Sequence, residues 1–171
     1  MNTYKLTLIA LLAALAVAGR LVLASFPNFQ PVTAVIIIGG MYLGPIAAIV
    51  LALLVTFLSN VMLGMGIWTI WQIVAWSIIG ILSGFLGKRR GHTPLYIVII
   101  FSIFCGYFYG FIISLTTYHV TGQFIPYYLL GLPFDTNHAF GNAVFVTLLY
   151  PIISRFFKKY ADNRFHIQNT N

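Results

Sequence analysis

The sequence contains no glutamate and only two acids, Asp135 and Asp162, among 171 residues. No pair of neighbouring aspartates is therefore available for intramembrane proteolysis or any other two-carboxylate chemistry. The single cysteine, Cys105, rules out an internal disulfide and a cysteine metal cluster; lying in an apolar run, it reads as a small buried hydrophobe. There is no G-x-x-x-x-G-K-[ST] loop, since "GFLGKRRG" does not fit it, and no H-E-x-x-H. ATP binding through a Walker loop and zincin-type hydrolysis are both excluded. His119 and His138 do not share a helix at ligand spacing, so neither a metal site nor a cofactor is expected. Charge of any sign is scarce, at 6% of residues against about 25% in soluble domains.

What the chain has instead is apolar length. It is 60% hydrophobic with a mean hydropathy of +0.96, and its apolar runs reach the ~20 residues that cross a bilayer. This composition indicates an all-α integral membrane protein with the lipid bilayer as its surroundings. The nine basic residues give a formal charge of +7, yet they sit in short clusters between apolar runs, as cytoplasmic anchors do. Nucleic acid is excluded as a partner, because a phosphate-tracking surface needs a basic stripe on one folded face. At the N-terminus, Lys5 and "LTLIALLAALAVAG" have the outline of a secretory signal. The run continues through "LVLASF", and its full length reads as a retained first span.

Strongly apolar segments cover 6–26, 32–63, 68–86, 95–117 and 139–157. The second is too long for one helix, and "GGMYLGP" inside it carries a turn signal, with Pro45 suited to the first position of a new helix. It divides into a short second helix at about 31–43 and a third at 45–63. Six spans with both termini cytoplasmic then place Lys5, Lys88, Arg89, Arg90, Arg155, Lys158, Lys159 and Arg164 on one side, leaving Arg20 as the exception to the positive-inside pattern. Five spans would split the basic clusters between two faces. The expected organisation is a single six-helix membrane domain, 1–160, followed by a polar cytoplasmic tail, 161–171.

Three connections then face outward: 25–33, 60–69 and a long outer loop between helices five and six at 116–138. That last stretch, with Pro126, Pro133 and several tyrosines, reads as a partly inserted lid. Asn28, Gln30, Asn60, Gln72, Asp135, Asn137, His138 and Asn142 all fall on this side. Polar groups at membrane depth are costly unless satisfied, so their convergence marks a candidate binding site; the alternative is ordinary decoration at headgroup level. Trp68, Trp71 and Gln72 share a helical face, which Trp76 continues inward beyond the reach of an interfacial belt. Tyr118 adds an aromatic ring from the outer loop. "FDTNHAFGN" reads as a helix start with Asp135 or Thr136 as the cap; the alternative is a ligand or ion-pair role for Asp135, with Arg20 as its partner.

Small residues form a second pattern. Ala10, Ala14 and Ala18 recur every four residues on the first helix, beside Ala13 and Ala16, as a smooth ridge for close helix docking. Gly80 with Gly84 and Gly106 with Gly110 repeat the spacing, and internal packing accounts for these pairs.

The alanine-rich first helix, together with "FPNFQPVTAVIIIGG", "LSNVMLGMGIWTIWQIVAWSIIGILSG" and "LPFDTNHAFGN", resembles the substrate-binding S components of energy-coupling factor (ECF) vitamin transporters over nearly the whole chain. These stretches are similar to a branch associated with cobalamin or with no assigned vitamin. The resemblance implies a bacterial or archaeal cell-membrane protein, not an enzyme, that captures a vitamin outside. It would dock through Ala10 and Ala14, or Ala14 and Ala18, on a transmembrane coupling subunit driven by two cytoplasmic ATPase subunits. Cobalamin is the first expectation, with riboflavin, a queuosine precursor or another vitamin as alternatives. Reading the residues without that resemblance leaves two other classes, a small structural or assembly protein and a self-contained carrier. The second is disfavoured by the shortage of intramembrane charge for ion coupling.

Overall fold

Gly44 and Pro45 divide the long apolar block as the sequence indicates. Gly44 has φ 91° and ψ 172°, a backbone open to glycine and extended as the residue before a proline must be. Its N–H donates to the carbonyl of Gly40, and its own carbonyl accepts from Ala48, so one residue closes one helix and opens the next. The computed structural model describes residues 3–89 and 93–161; residues 90–92 of the basic connection and 162–171 of the polar tail, Asp162 included, lie outside the described residues. The helices are α1 (Thr3–Val22), α2 (Val32–Leu43), α3 (Pro45–Leu63), α4 (Trp68–Arg89), α5 (Leu95–Thr121) and α6 (Phe124–Phe156), followed by a π-helical turn, Phe157–Ala161. Five of the helices are long and apolar enough to cross a membrane, and α2 is a shorter apolar helix.

The sequence expectation fails at 116–138, which forms helix rather than a long loop. α5 runs on to Thr121, and α6 begins at Phe124, so that only Gly122 and Gln123 separate them. Gly122 adopts the left-handed conformation (φ 72°, ψ 0°) and its N–H caps the carbonyl of Tyr118, a common way to end a helix. The two prolines are compatible with this arrangement for different reasons. Pro126 falls in the first turn of α6, where no backbone N–H is needed. Pro133 lies in the helix interior, which membrane helices tolerate because neighbouring groups satisfy the freed carbonyls. Asp135 and Thr136 are therefore mid-helix residues, and neither caps a helix start.

α2 is the central element. Every residue from Val32 to Gly40 is buried, as is Leu43, which is the signature of a helix that is hydrophobic all round. It packs against each of the other five helices, and its side chains share one core with Leu8, Ile9 and Leu12 of α1, Leu51 and Val55 of α3, Trp76 and Ile79 of α4, Val98 of α5, and Val146 and Tyr150 of α6.

The small residues separate into two groups by exposure. Ala13 and Ala16 are buried, whereas Ala10, Ala14 and Ala18 are exposed on the outer face of α1. The glycine pairs are interior. A Cβ at Gly80 would stand 2.7 Å from Cβ of Ala48, one at Gly84 2.7 Å from the Pro45 ring, and one at Gly106 2.6 Å from Cα of Ala139. At these positions the helices approach closely because a side chain is missing. We expect Gly80→Leu or Gly84→Leu to cost about 1–3 kcal/mol or more through overpacking. The exposed Ala10→Leu change should stay within about 0.5 kcal/mol. Thermal unfolding in detergent checks this; equal melting of all three variants would contradict the packing assignment.

Candidate functional site

The site is built at the N-terminal end of α2, where that helix stops and the taller helices around it continue. Its floor is a buried polar cluster. The Thr33 hydroxyl of α2 accepts the indole N–H of Trp76 at 3.0 Å and shares a 2.9 Å hydrogen bond with Nε2 of His138. One hydroxyl thereby ties α2, α4 and α6 together. Tyr109 of α5 completes the floor, with its ring 5.0 Å from that of Trp76 and edge-on to His138 at 4.8 Å. Arg20 also reaches Trp76, with its guanidinium carbon 5.2 Å from the ring centroid.

Arg20 does not pair with Asp135. Its Nη1 donates to Oγ of Ser59 at 2.6 Å, and that hydroxyl in turn donates to the carbonyl of Val55 at 2.6 Å. The cation rests on an aromatic face and on a hydroxyl in the C-terminal half of α3, where the helix dipole is negative. An acid is not needed to hold it there.

Above this floor is a cavity of about 480 Å³, within the range that encloses a drug-sized ligand. Trp68 and Gln72 line it from α4, and Tyr109, Gly110, Ile113 and Ser114 from α5. Tyr127, Leu130, Gly131, Phe134 and Asp135 form the α6 wall, and Asn28 closes the side next to α1. Asn28 has φ 55°, the one positive value outside glycine among the described residues; asparagine is among the few residues that adopt it readily. From that position its Nδ2 donates to the carbonyl of Phe134 at 3.4 Å. Asn137 donates to the carbonyl of Pro27, so two side-chain amides stitch the α1–α2 connection to α6.

Of the twelve residues expected to bind ligand, Asn28, Trp68, Gln72 and Asp135 meet in the cavity. The other eight do not line it. Asn60 donates to Oγ1 of Thr69 at 2.9 Å and to Oε1 of Gln72 at 2.7 Å, bracing the α3–α4 turn and orienting Gln72. Trp71 stacks on His119 at 5.3 Å, and Tyr118 is exposed on the same turn of α5. Trp76 and His138 belong to the floor, in keeping with the interior position expected for Trp76. Asn142 is fully buried below it and donates to the carbonyl of Ser102 at 3.2 Å. Gln30 is half-buried beside α2, and Asn137 holds the loop.

The sequence reading missed the α5 wall and most of the α6 wall. The signal was present in α6, where Tyr127, Leu130, Gly131 and Phe134 stand at i, i+3, i+4 and i+7, a single helical face. Reading 116–138 as a loop hid that face. For the floor, Thr33→Val should leave the buried nitrogens of Trp76 and His138 without their shared partner and cost about 1–3 kcal/mol. Thermal unfolding with tryptophan emission as the probe checks it; an unchanged melting point and spectrum would show that the hydroxyl does not hold the floor.

The geometry so far describes a multi-pass membrane protein with a small-molecule cavity at one end. A family profile described as "ECF transporter, substrate-specific component" matches residues 4–160. No curated protein and no solved structure matches the chain. A match over that span is nearly the whole chain, and the protein belongs to the family of substrate-specific components of ECF transporters, which are substrate-binding membrane subunits and not enzymes.

Proposed function

We propose that this chain captures a vitamin-sized heterocycle outside a bacterial or archaeal cell and delivers it through an ECF coupling subunit and two cytoplasmic ATPase subunits. The observation that carries the reading is the cavity of about 480 Å³ with its aromatic and amide lining, at the end of the bundle away from Lys5, Lys88, Arg155, Lys158 and Lys159. Basic residues collect on the cytoplasmic side, which supports an outer cavity end and cytoplasmic termini.

The substrate follows from volume and lining. Cobalamin, the first expectation from the sequence, has a corrin macrocycle and a nucleotide loop, and a cavity of this size would take only one edge of it. Riboflavin or a queuosine precursor, flat and heterocyclic, matches both the volume and the rings of Trp68, Tyr109 and Tyr127, against which aromatic ligands stack. The volume therefore favours the smaller heterocycles.

Coupling is assigned to the outer face of α1. Ala10, Ala14 and Ala18 are exposed there while Ala13 and Ala16 face the core, which leaves a small-residue ridge on which a partner helix can pack. Ala14→Trp should reduce uptake in cells carrying the energising subunits by more than ten-fold and leave ligand affinity of the purified chain unchanged. Parallel loss of uptake and affinity would end the assignment of Ala14 to docking.

A further inference from the structure

His138 Nδ1 and Asn142 Oδ1 are buried without a partner beneath the cavity, and Asp135 is the residue with such an atom that lines it. Asp135 is 5% exposed, it lines the cavity, and its Oδ2 is buried without a hydrogen-bond partner. An unpaired buried carboxylate is among the most expensive features a membrane helix can carry. Among the described residues, no basic side chain lies within the 4.0 Å that would make an ion pair with it. Arg20, the base that the sequence offered as a partner, is engaged with Ser59 and Trp76.

The surrounding structure accommodates the carboxylate without neutralising it. It lies against Gly110, and a Cβ at that position would overlap its oxygens; Gly110 therefore supplies a notch in the α5 wall. Trp68, Tyr109 and Phe134 line the same cavity, and the faces of such rings attract cations. A metal ion is a poor match for the notch, because hard cations need about six oxygen ligands. Among the described residues no group of three metal-ligating side chains converges.

Resting on the reading of the cavity as the ligand site, we propose that its ligand is a small aromatic or heterocyclic molecule bearing a protonated, hydrogen-bond-donating nitrogen, which pairs with the Asp135 carboxylate. The ring lies among the aromatic walls and the nitrogen supplies the charge that the protein withholds. Among vitamin-sized heterocycles, this selects those with a basic amine over neutral or anionic ones.

The test uses the full-length chain in detergent and two matched pairs of probes, tryptamine with tryptophol and benzylamine with benzyl alcohol, each pair differing by an amine in place of a hydroxyl. At least one amine should bind the wild-type chain ten-fold or more tightly than its alcohol, and Asp135→Asn should remove that preference. The wild-type comparison needs no variant, so misfolding of Asp135→Asn would not blunt it. Equal binding of amine and alcohol, no binding of either amine, or equal stabilisation by sodium or potassium chloride would overturn the proposal. Uptake assays with the energising subunits separate it from the transport reading. Uptake of a molecule with no basic nitrogen overturns the Asp135 proposal and leaves transport standing; amine binding with no uptake of any micronutrient does the reverse.

Discussion

In a bilayer no water is available to satisfy a polar group, so each one must find its partner inside the protein. The arrangement of this bundle follows from how that requirement is met at Thr33. A single hydroxyl on the central helix serves an indole from α4 and an imidazole from α6, and the three helices are fixed in register by it. The same rule governs Asn60 with Gln72 and Thr69, and Arg20 with Ser59. Most of the polar residues in this half of the molecule are thereby used up in holding it together. The few that face the cavity do so on a frame that the others keep rigid.

This division explains what could be read from the sequence. The break at Gly44-Pro45, the interior glycine pairs and the inward position of Trp76 depend on local backbone rules or on short helical spacing, and these were legible. The continuation of α5 and α6 through 116–138 was not, because prolines and tyrosines there carried the local signature of a loop while their tolerance depends on helical position and on neighbours. Within the site, Asn28, Gln72 and Asn60 are all amides of the outer half, and nothing in their sequence surroundings separates one that lines a cavity from one that braces a turn. Asn60 is removed from the lining by Gln72, twelve residues away, and Asn137 by Pro27, 110 residues away. Contacts of that range are set by the packing of the whole bundle.

Small residues have two distinct uses in the structure. On α4 and α5 they admit a neighbouring backbone, as at Gly80 against Ala48 and Gly106 against Ala139. On α1 they leave a low, exposed surface. The spacing of four is common to both, so the spacing alone did not distinguish a closed contact from an open one; the hydrophobic residues that flank each stripe decide which way it turns.

The shortness of α2 has a geometric corollary. At twelve residues it is about 18 Å long, against roughly 30 Å for the hydrocarbon core, and α5 and α6, at 27 and 33 residues, extend to about 40 and 50 Å. α2 is thus a post about 12 Å shorter than a membrane's thickness, and the cavity is lined by the longer helices α4, α5 and α6 and by Asn28 just before α2. Trp76, Tyr109 and His138 close the vessel from α4, α5 and α6, so its capacity is set jointly by where the short post ends and by which neighbouring side chains lean over that end.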